Sequence, residues 1–194
     1  MIEGLVYLCI TYLVASVPTG PILSSLYADV DVTRHGSGNI GATNVHRVLG
    51  PRFGVATLLG DLLKGLFPVL LAPLVTDHEW FPPLVGIVAF AGHCWPAYLE
   101  FRGGKGVATI AGVLIGLSPL VALFASIAWM VTFLAFKRSS GAALAAAVVV
   151  PPLMMAITPA IAWSGVILSA GMIQRHRANI RRMMSGEEPP TNNR

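Results

Sequence analysis

Charged residues are scarce in this chain, and their scarcity excludes an ordinary soluble domain. Lys, Arg, Asp and Glu make up 11% of its 194 residues, whereas soluble domains carry about 25%. Hydrophobic residues make up 55%, and the surplus apolar surface must face lipid. The composition therefore predicts a polytopic membrane protein of one domain, with room for about seven helices of ~20 residues.

Cysteine is also scarce, with two residues in the chain. Cys9 and Cys94 lie in separate hydrophobic segments, so we expect neither a disulfide framework nor a metal site. We also expect no cofactor. Basic residues are missing before the first apolar run, where a signal peptide needs them and where Glu3 stands instead. We therefore expect that run to be retained as a helix. No internal repeat is present.

Apolar runs of helical length divide the chain. Three of them cover residues 5–27, 53–76 and 81–99, and the sequence Pro-Thr-Gly-Pro at 18–21 interrupts the first near its end. Proline removes a backbone donor and clashes with the preceding turn, so we expect the first helix to break there.

Two longer runs, 107–136 and 139–174, contain no charged residue. Each exceeds the ~20 residues that cross a bilayer, so each is either one long tilted helix or a hairpin of two. Gly-Leu-Ser-Pro at 116–119 and Thr-Pro at 158–159 favour turns near the two middles. A helix ending near 117 is short for a complete span.

The basic residues decide between these interpretations, because cytoplasmic loops carry the excess of Lys and Arg. If both runs are hairpins, every Lys and Arg except Lys64 falls on one side, and the first loop opposite holds Asp77 and Glu79. We therefore predict an all-α protein with seven transmembrane helices, its N-terminus outside and its C-terminus cytoplasmic. The membrane domain covers 1–184, and residues 185–194 form a disordered tail.

Three polar clusters, 36–47, 93–109 and 176–182, share the predicted cytoplasmic face. The first contains a formal G-x-G-x-x-G motif at 36–41, but a membrane helix precedes it, whereas a dinucleotide fold requires a strand. Glycines let backbone N–H groups close around an anion, and arginine suits phosphate. The candidate ligands here are Ser37, Gly38, Asn39, Thr43, Asn44 and Arg47. The alternative is a flexible connector.

The second cluster places a lysine in a glycine-rich turn before a helix. It is not a Walker A loop, because Leu99 stands where glycine is needed and Gly106 where Ser or Thr is needed. Helix N-termini nevertheless attract anions. The candidate ligands are Gly103, Gly104, Lys105, Gly106 and Thr109. The alternative is a basic inner loop that only fixes the topology.

Two histidines are further candidates. His93 is either a reacting group or an interfacial histidine of an aromatic belt. His176, Asn179 and Arg182 recur at a spacing of three, so on a helix they share one face. This segment is either a substrate site or a polybasic stop that binds anionic headgroups.

Asp61 and Lys64 lie three residues apart within an apolar run. Ionisable groups inside a membrane segment usually pair and face a polar interior. The two residues are therefore either a structural pair that fixes helix packing or a direct substrate contact, with Lys64 as the phosphate ligand.

Five segments together resemble one family. They are Ser-Gly-Asn-Ile-Gly-Ala-Thr-Asn-Val at 37–45, Gly-Asp-Leu-Leu-Lys-Gly at 60–65, Gly-His-x-x-Pro at 92–96, Gly-Gly-Lys-Gly-Val-Ala-Thr at 103–109 and His-Arg-Ala-Asn-Ile-Arg-Arg at 176–182. In type and order they are similar to the signature blocks of the bacterial acyl-phosphate-dependent glycerol-3-phosphate acyltransferases, the PlsY type. The resemblance covers essentially the whole chain.

This resemblance implies a seven-helix enzyme of the bacterial plasma (inner) membrane, with its active site at the cytoplasmic face. It implies acyl transfer from acyl phosphate to the 1-hydroxyl of glycerol 3-phosphate, giving 1-acylglycerol 3-phosphate (lysophosphatidic acid) and phosphate in phospholipid biosynthesis. The partners would be these two substrates and the lipid bilayer, with no nucleic acid and no metal.

The residues fit that chemistry, because two phosphorylated substrates need two anion sites. Lys105 would stabilise charge on the acyl phosphate. Four residues would hold the glycerol 3-phosphate and orient its hydroxyl: Ser37, Arg47, His176 and Asn179. The base is His93, His176 or a substrate phosphate. The alternative function is a transporter of a phosphorylated solute, although such proteins usually show repeats and midplane sites.

Overall fold

The computed structural model of the protein describes residues 2–191. Within that range all regular secondary structure is helical, which confirms the predicted all-α class. The helices are α1 (Ile2–Ser16), α2 (Thr19–Ala28), α3 (Ala42–Leu49), α4 (Pro51–Leu71), α5 (Phe81–Cys94), α6 (Val107–Leu117), α7 (Pro119–Phe136), α8 (Ser139–Ile157), α9 (Ala162–Arg175) and α10 (Arg177–Met184). Short 3₁₀ turns lie at Ala72–Leu74, Ala97–Leu99 and Pro159–Ile161. Residues 192–194 of the predicted tail, with Arg194, lie outside the described residues.

Prolines set several helix boundaries. The first apolar run breaks between α1 and α2, at the predicted Pro-Thr-Gly-Pro sequence. Both α4 and α7 begin at a proline, where a missing N–H costs nothing. The prediction of one helix over 81–99 was too long: α5 ends at Cys94. Pro96 disfavours a helical conformation at Trp95, so the chain leaves the helix there.

Both long uncharged runs are divided, as predicted. The first is interrupted at Ser118, between α6 and α7, and the second between α8 and α9, where a 3₁₀ turn intervenes. Helix α6 has the predicted bounds, and its 11 residues rise about 16 Å, short of the ~30 Å hydrocarbon core.

The membrane character of the chain lies in its exposed apolar side chains. Among residues 2–191, four helical segments are long and apolar enough to cross a membrane: Ile2–Ala28, Pro51–Leu74, Pro119–Phe136 and Ser139–Ile157. Large apolar side chains are exposed along the length of α7: Leu120, Leu123, Phe124, Ile127, Met130, Val131, Leu134 and Phe136. Lipid is the solvent in which such a surface is stable. The count of seven spanning helices and their orientation stay predictions.

The described chain forms two compact units, one ending at Leu117 and the next beginning at Ser118. In the first unit, α4 contacts α1, α2, α3, α5 and α6. Glycines bring α4 and α6 close: a Cβ on Gly65 would collide with the carbonyl oxygen of Thr109, and one on Gly112 with that of Leu62. Small residues allow this backbone approach in membrane helices.

Tyrosine hydroxyls connect α1 to its neighbours in this unit. Tyr7 donates a hydrogen bond of 2.7 Å to the carbonyl of Pro68 in α4. The N–H that would normally serve this carbonyl, that of Ala72, bonds instead to Val69 as the helix tightens into a 3₁₀ turn. Tyr12 donates similarly to the carbonyl of Trp95, at 2.6 Å. Both hydroxyls donate to carbonyls at helix ends, where no N–H of the helix is available as a partner.

In the second unit α8 contacts both α7 and α9, and α10 contacts α9. The buried face of α8 is built of small and medium side chains at helical spacing: Ala142, Ala143, Ala146, Ala147, Val150 and Met154. Gly165 of α9 meets Met154, whose Sδ lies 2.5 Å from the position of an added Cβ. The small side chains therefore let α8 sit close to its neighbours.

Candidate active site

The loop before α3 is organised by one buried amide. The Oδ1 atom of Asn44 accepts the N–H of Ser37 at 2.7 Å, and Nδ2 donates to the carbonyls of Val32 and His35 at 2.9 and 3.0 Å. Asn44 itself is 2% exposed. Gly36 has a φ of 61°, and a Cβ there would collide with the Asn44 oxygen. Asn44 therefore holds the loop in shape, and its predicted contact with phosphate stays a prediction.

The other candidates of this loop have different surroundings. The Oδ1 atom of Asn39 accepts the N–H of Gly41 at 2.9 Å, immediately before α3 begins. Ser37 and Gly38 are exposed. Thr43 and Arg47 are half-buried and lie four residues apart on α3, so they share one helix face. The accessible polar groups of this cluster are thus at the loop tip and on that face.

The second glycine loop is folded directly onto His93. The N–H groups of Gly103 and Gly104 donate to the carbonyls of Cys94 and His93 at 3.2 and 3.1 Å. A Cβ on Gly104 would collide with Nε2 of the His93 ring, and one on Gly103 with the His93 carbonyl oxygen. Any side chain at either position would push the loop away. Its glycines therefore fix the half-buried Lys105 just ahead of α6.

A buried ionic group lies behind this loop. Oδ1 of Asp61 is 2.9 Å from Nζ of Lys64 and 3.6 Å from Nδ1 of His93, and all three side chains are 7% exposed or less. Nζ of Lys64 also donates to the carbonyl of Val17, at 2.9 Å. The pairing predicted for Asp61 and Lys64 is therefore present, and it ties α4 to the break between α1 and α2.

Two candidates lie deep in the first unit. Nδ1 of His93 has no hydrogen-bond partner among the described residues, and the ring is enclosed by Asp61 and the glycine loop. Thr109 is fully buried where α4 meets α6, and its Oγ1 likewise has no partner in the described part of the chain. His93 is enclosed beside the second loop and Thr109 between α4 and α6, and their predicted substrate roles stay predictions.

His176 stands at the junction of α9 and α10 in the second unit. It is 2% exposed, and its Nδ1 lies 2.8 Å from the carbonyl oxygen of Met172. A carbonyl can only accept, so Nδ1 carries a proton in this hydrogen bond, and the tautomer protonated on Nδ1 has its lone pair on Nε2. This tautomer makes Nε2 the basic nitrogen.

Asn179 and Arg182 lie on α10, as their spacing predicts, and both contact Glu188. Nδ2 of Asn179 donates to its Oε1 at 2.6 Å, and Nε of Arg182 to its Oε2 at 2.7 Å. Ser140 of α8 donates to the same Oε1, also at 2.6 Å. The sequence did not indicate Glu188 or Ser140, because no local pattern marks one acidic residue after a basic helix. These contacts fall within the segment 185–194 that was predicted to be disordered.

The family model for glycerol-3-phosphate acyltransferase matches residues 5–186. The chain belongs to this family. A glycerol-3-phosphate acyltransferase of Geotalea daltonii is 43% identical over 190 residues, covering 97% of each chain. The proteins of the same name from Geobacter sulfurreducens and Pseudomonas aeruginosa are 43% and 42% identical, covering 97% and 92% of this chain.

Two solved structures are also similar. They are crystal structures of PlsY, an integral membrane glycerol 3-phosphate acyltransferase, in its glycerol 3-phosphate form and its lysophosphatidic acid form. Both are 35% identical to this chain and cover 96% of it, with TM-scores of 0.91 and 0.90. The family recognised from the sequence motifs is therefore confirmed, and the chain is an acyltransferase with apolar, membrane-type helices.

Proposed function

We propose that this member of the glycerol-3-phosphate acyltransferase family uses acyl phosphate as its donor and acylates the 1-hydroxyl of glycerol 3-phosphate. The products are 1-acylglycerol 3-phosphate and inorganic phosphate, released at the cytoplasmic face of a bacterial plasma membrane. One observation carries the proposal: the Gly103–Gly104 turn is packed on His93 and sets Lys105 at the start of α6. A rigid lysine before a helix N-terminus suits a phosphate.

The donor phosphate is assigned to this second loop. In the reaction, the hydroxyl oxygen of glycerol 3-phosphate bonds to the acyl carbonyl carbon. The bond between that carbon and the phosphate oxygen breaks, and phosphate leaves with the electron pair. Negative charge grows on the departing phosphate, and the Lys105 ammonium would stabilise it there. Phosphate is a good leaving group, so no covalent acyl-enzyme is needed.

The acceptor phosphate is assigned to cations and hydroxyls that the structure leaves near a surface. In the first unit these are Ser37 at the exposed loop tip and Arg47 on α3, whose fork suits a phosphate. A relative solved in a glycerol 3-phosphate form supports glycerol 3-phosphate as the acceptor.

The hydroxyl proton is assigned to His176 rather than His93. The Met172 carbonyl fixes the tautomer of His176 in which Nε2 can accept a proton. The His93 ring, in contrast, is enclosed by Asp61 and the loop that carries Gly104, which suits a supporting role. Asn179 would orient the hydroxyl next to His176, one turn further along α10.

The test uses purified protein in detergent micelles with palmitoyl phosphate and glycerol 3-phosphate. Phosphate release and 1-palmitoylglycerol 3-phosphate, identified by mass spectrometry, should appear together and in equal amounts. Omitting glycerol 3-phosphate gives the rate of simple donor hydrolysis. Palmitoyl-coenzyme A serves as the matched donor, because the acyl chain is the same and only the leaving group differs. Equal rates with the thioester, or acylation at the 2-hydroxyl, would overturn the proposal.

A further inference from the structure

The residues after α10 fold back, and Glu188 is their buried member. Its side chain is 6% exposed, although it carries a carboxylate. Both carboxylate oxygens are used: Oε1 accepts from Ser140 and Asn179, and Oε2 accepts from Arg182, all within 2.7 Å. A buried carboxylate is stable only when its oxygens are paired in this way.

The local sequence produces this reversal. Gly186 has a φ of 75°, a left-handed conformation that glycine adopts without strain. The chain therefore turns back, and the N–H groups of Glu187 and Glu188 both donate to the carbonyl of Arg182, at 2.7 and 3.1 Å. The turn thus places Glu188 beside the side chain of Arg182 and leaves Glu187 exposed.

The start of α8 holds the returning segment from its other side. Nε of Arg138 donates to the carbonyl of Glu188 at 2.9 Å. Further on, the N–H of Thr191 donates to the carbonyl of Lys137, and its Oγ1 accepts the N–H of Ser139, both at 2.8 Å. The Glu188 carbonyl and Thr191 therefore fasten the segment to the start of α8, and the Glu188 side chain joins it to both α8 and α10.

The charge on Glu188 is maintained at neutral pH. Burial raises the pKa of this carboxyl, but the hydrogen bonds from Ser140, Asn179 and Arg182 lower it by more. The pKa of Glu188 therefore lies below its ordinary value. Glu188 is thus an anion when it accepts from Asn179 and Arg182, and such charge-assisted bonds are shorter and stronger than neutral ones.

We propose that Glu188 is a positioning residue of the acceptor site, acting through Asn179 and Arg182. By accepting from Nδ2 of Asn179 it fixes which way the amide faces. Glu188 accepts from Nε of Arg182 and so leaves the two Nη groups of that guanidinium to bind a phosphate. These groups lie at the outer end of a side chain that is 42% exposed. This inference rests on the proposed function, in which Asn179 of α10 orients the hydroxyl of glycerol 3-phosphate, and it adds Arg182 to the groups that meet the acceptor phosphate.

A different role would be that of an internal competitor, with the carboxylate standing where the substrate phosphate binds. The geometry favours positioning. Glu188 contacts the guanidinium through Nε, so the edge formed by the two Nη groups stays available for a substrate phosphate. The side chain is also enclosed by three donors from two helices, rather than exposed for exchange.

The experiment compares Glu188→Ala, Glu188→Gln and Glu188→Asp with Glu187→Gln as the matched control. We expect Glu188→Ala to raise the KM for glycerol 3-phosphate roughly tenfold or more, since two oriented donors are released. The KM for acyl phosphate should change less than about twofold. The KM of Glu188→Gln for glycerol 3-phosphate should lie between those of the wild type and Glu188→Ala, because its amide oxygen can still accept from Ser140 or Asn179. Glu187→Gln should match the wild type.

A second measurement shows whether Glu188 acts through its neighbours. In an Asn179→Ala/Arg182→Ala background, adding Glu188→Ala should change the KM for glycerol 3-phosphate no further, because the groups it orients are gone. Stabilisation of the purified variants by glycerol 3-phosphate in thermal unfolding reports acceptor binding without the donor. This readout separates failure of the inference from failure of the proposed donor chemistry.

Three results would overturn the inference. A lower KM for glycerol 3-phosphate in Glu188→Ala would make Glu188 a competitor. Equal increases in the KM of both substrates would make it a purely structural residue. Unchanged kinetics would remove it from the site. If Glu188→Ala does not fold, Glu188→Gln and Glu188→Asp decide by the same criteria.

Discussion

Nζ of Lys64 donates to the carbonyl oxygen of Val17, across 47 positions of sequence. In an unbroken helix this oxygen would accept the N–H of residue 21, which is Pro21 and has none. Lys64 therefore supplies the donor that the proline removed, while its charge neutralises Asp61 at 2.9 Å. Lys64 thus pairs both with the carbonyl that the helix break leaves open and with the buried Asp61 carboxylate.

Replacing Lys64 with Met should destabilise the protein by about 3–5 kcal/mol, because it removes the ammonium that neutralises the buried Asp61 carboxylate. Adding Asp61→Asn should recover part of the loss. The apparent melting temperature of the purified protein in detergent measures both effects. Lys137→Met, at an exposed position, is the control and should melt like the wild type. A Lys64→Met variant as stable as the wild type would show that the pair is not structural.

Replacing Lys105 with Ala should reduce turnover roughly a hundredfold to a thousandfold, because losing one preorganised charge contact costs about 3–4 kcal/mol. Initial rates of phosphate release measure the loss, and size-exclusion chromatography checks that the protein stays folded. Arg102→Ala removes a neighbouring exposed cation and should have little effect. Near wild-type activity in Lys105→Ala would exclude Lys105 from the mechanism.

A methyl group on Gly104 should displace the second loop, because it would collide with Nε2 of His93. We expect Gly104→Ala to lose most activity, and His93→Ala in the same chain to restore part of it by removing the ring. The rates of the two single variants and the double variant form a double-mutant cycle, which measures the coupling between the two positions. Gly4→Ala, where a Cβ meets only an ordinary contact at 3.4 Å, should be neutral. A double variant worse than both single ones would contradict this steric coupling.

The predicted topology can be tested by single-cysteine labelling in a chain without Cys9 and Cys94. A cysteine replacing the exposed Asp77 should react with an impermeant reagent in intact cells, and one replacing the exposed Glu187 should react only after lysis. The reason is the concentration of Lys and Arg on one side of the predicted membrane. Labelling of the Glu187 position in intact cells would refute the seven-helix orientation.

Acid should weaken the attachment of the C-terminal segment. The folded-state pKa of Glu188 is lowered, so its stabilising effect is complete above the ordinary carboxyl value of 4.5 and is lost as pH falls through the folded value. The difference in melting temperature between the wild type and Glu188→Gln should therefore be largest near neutral pH and shrink below about pH 4. A constant difference over that range would show that ionised Glu188 adds no stability.

The sequence by itself determined the features that depend on composition or on neighbours along the chain. Its scarcity of charge predicted a membrane protein, and its prolines marked the helix breaks that the structure contains. The spacing of Asp61 and Lys64 predicted their pairing, and five short motifs indicated the family. These signals are local, since helical periodicity, proline stereochemistry and hydropathy act over a few residues.

The tertiary structure alone decided which distant groups meet. Nothing near Gly104 in the sequence shows that His93 will occupy the space of its missing side chain, and nothing near Asn44 shows that it will hold the loop before α3. Glu188 received its partners only because Gly186 turns the chain back onto α10 and toward the start of α8. Such contacts depend on how the helices pack. Many side chains determine that packing together, and no short motif in the sequence shows it.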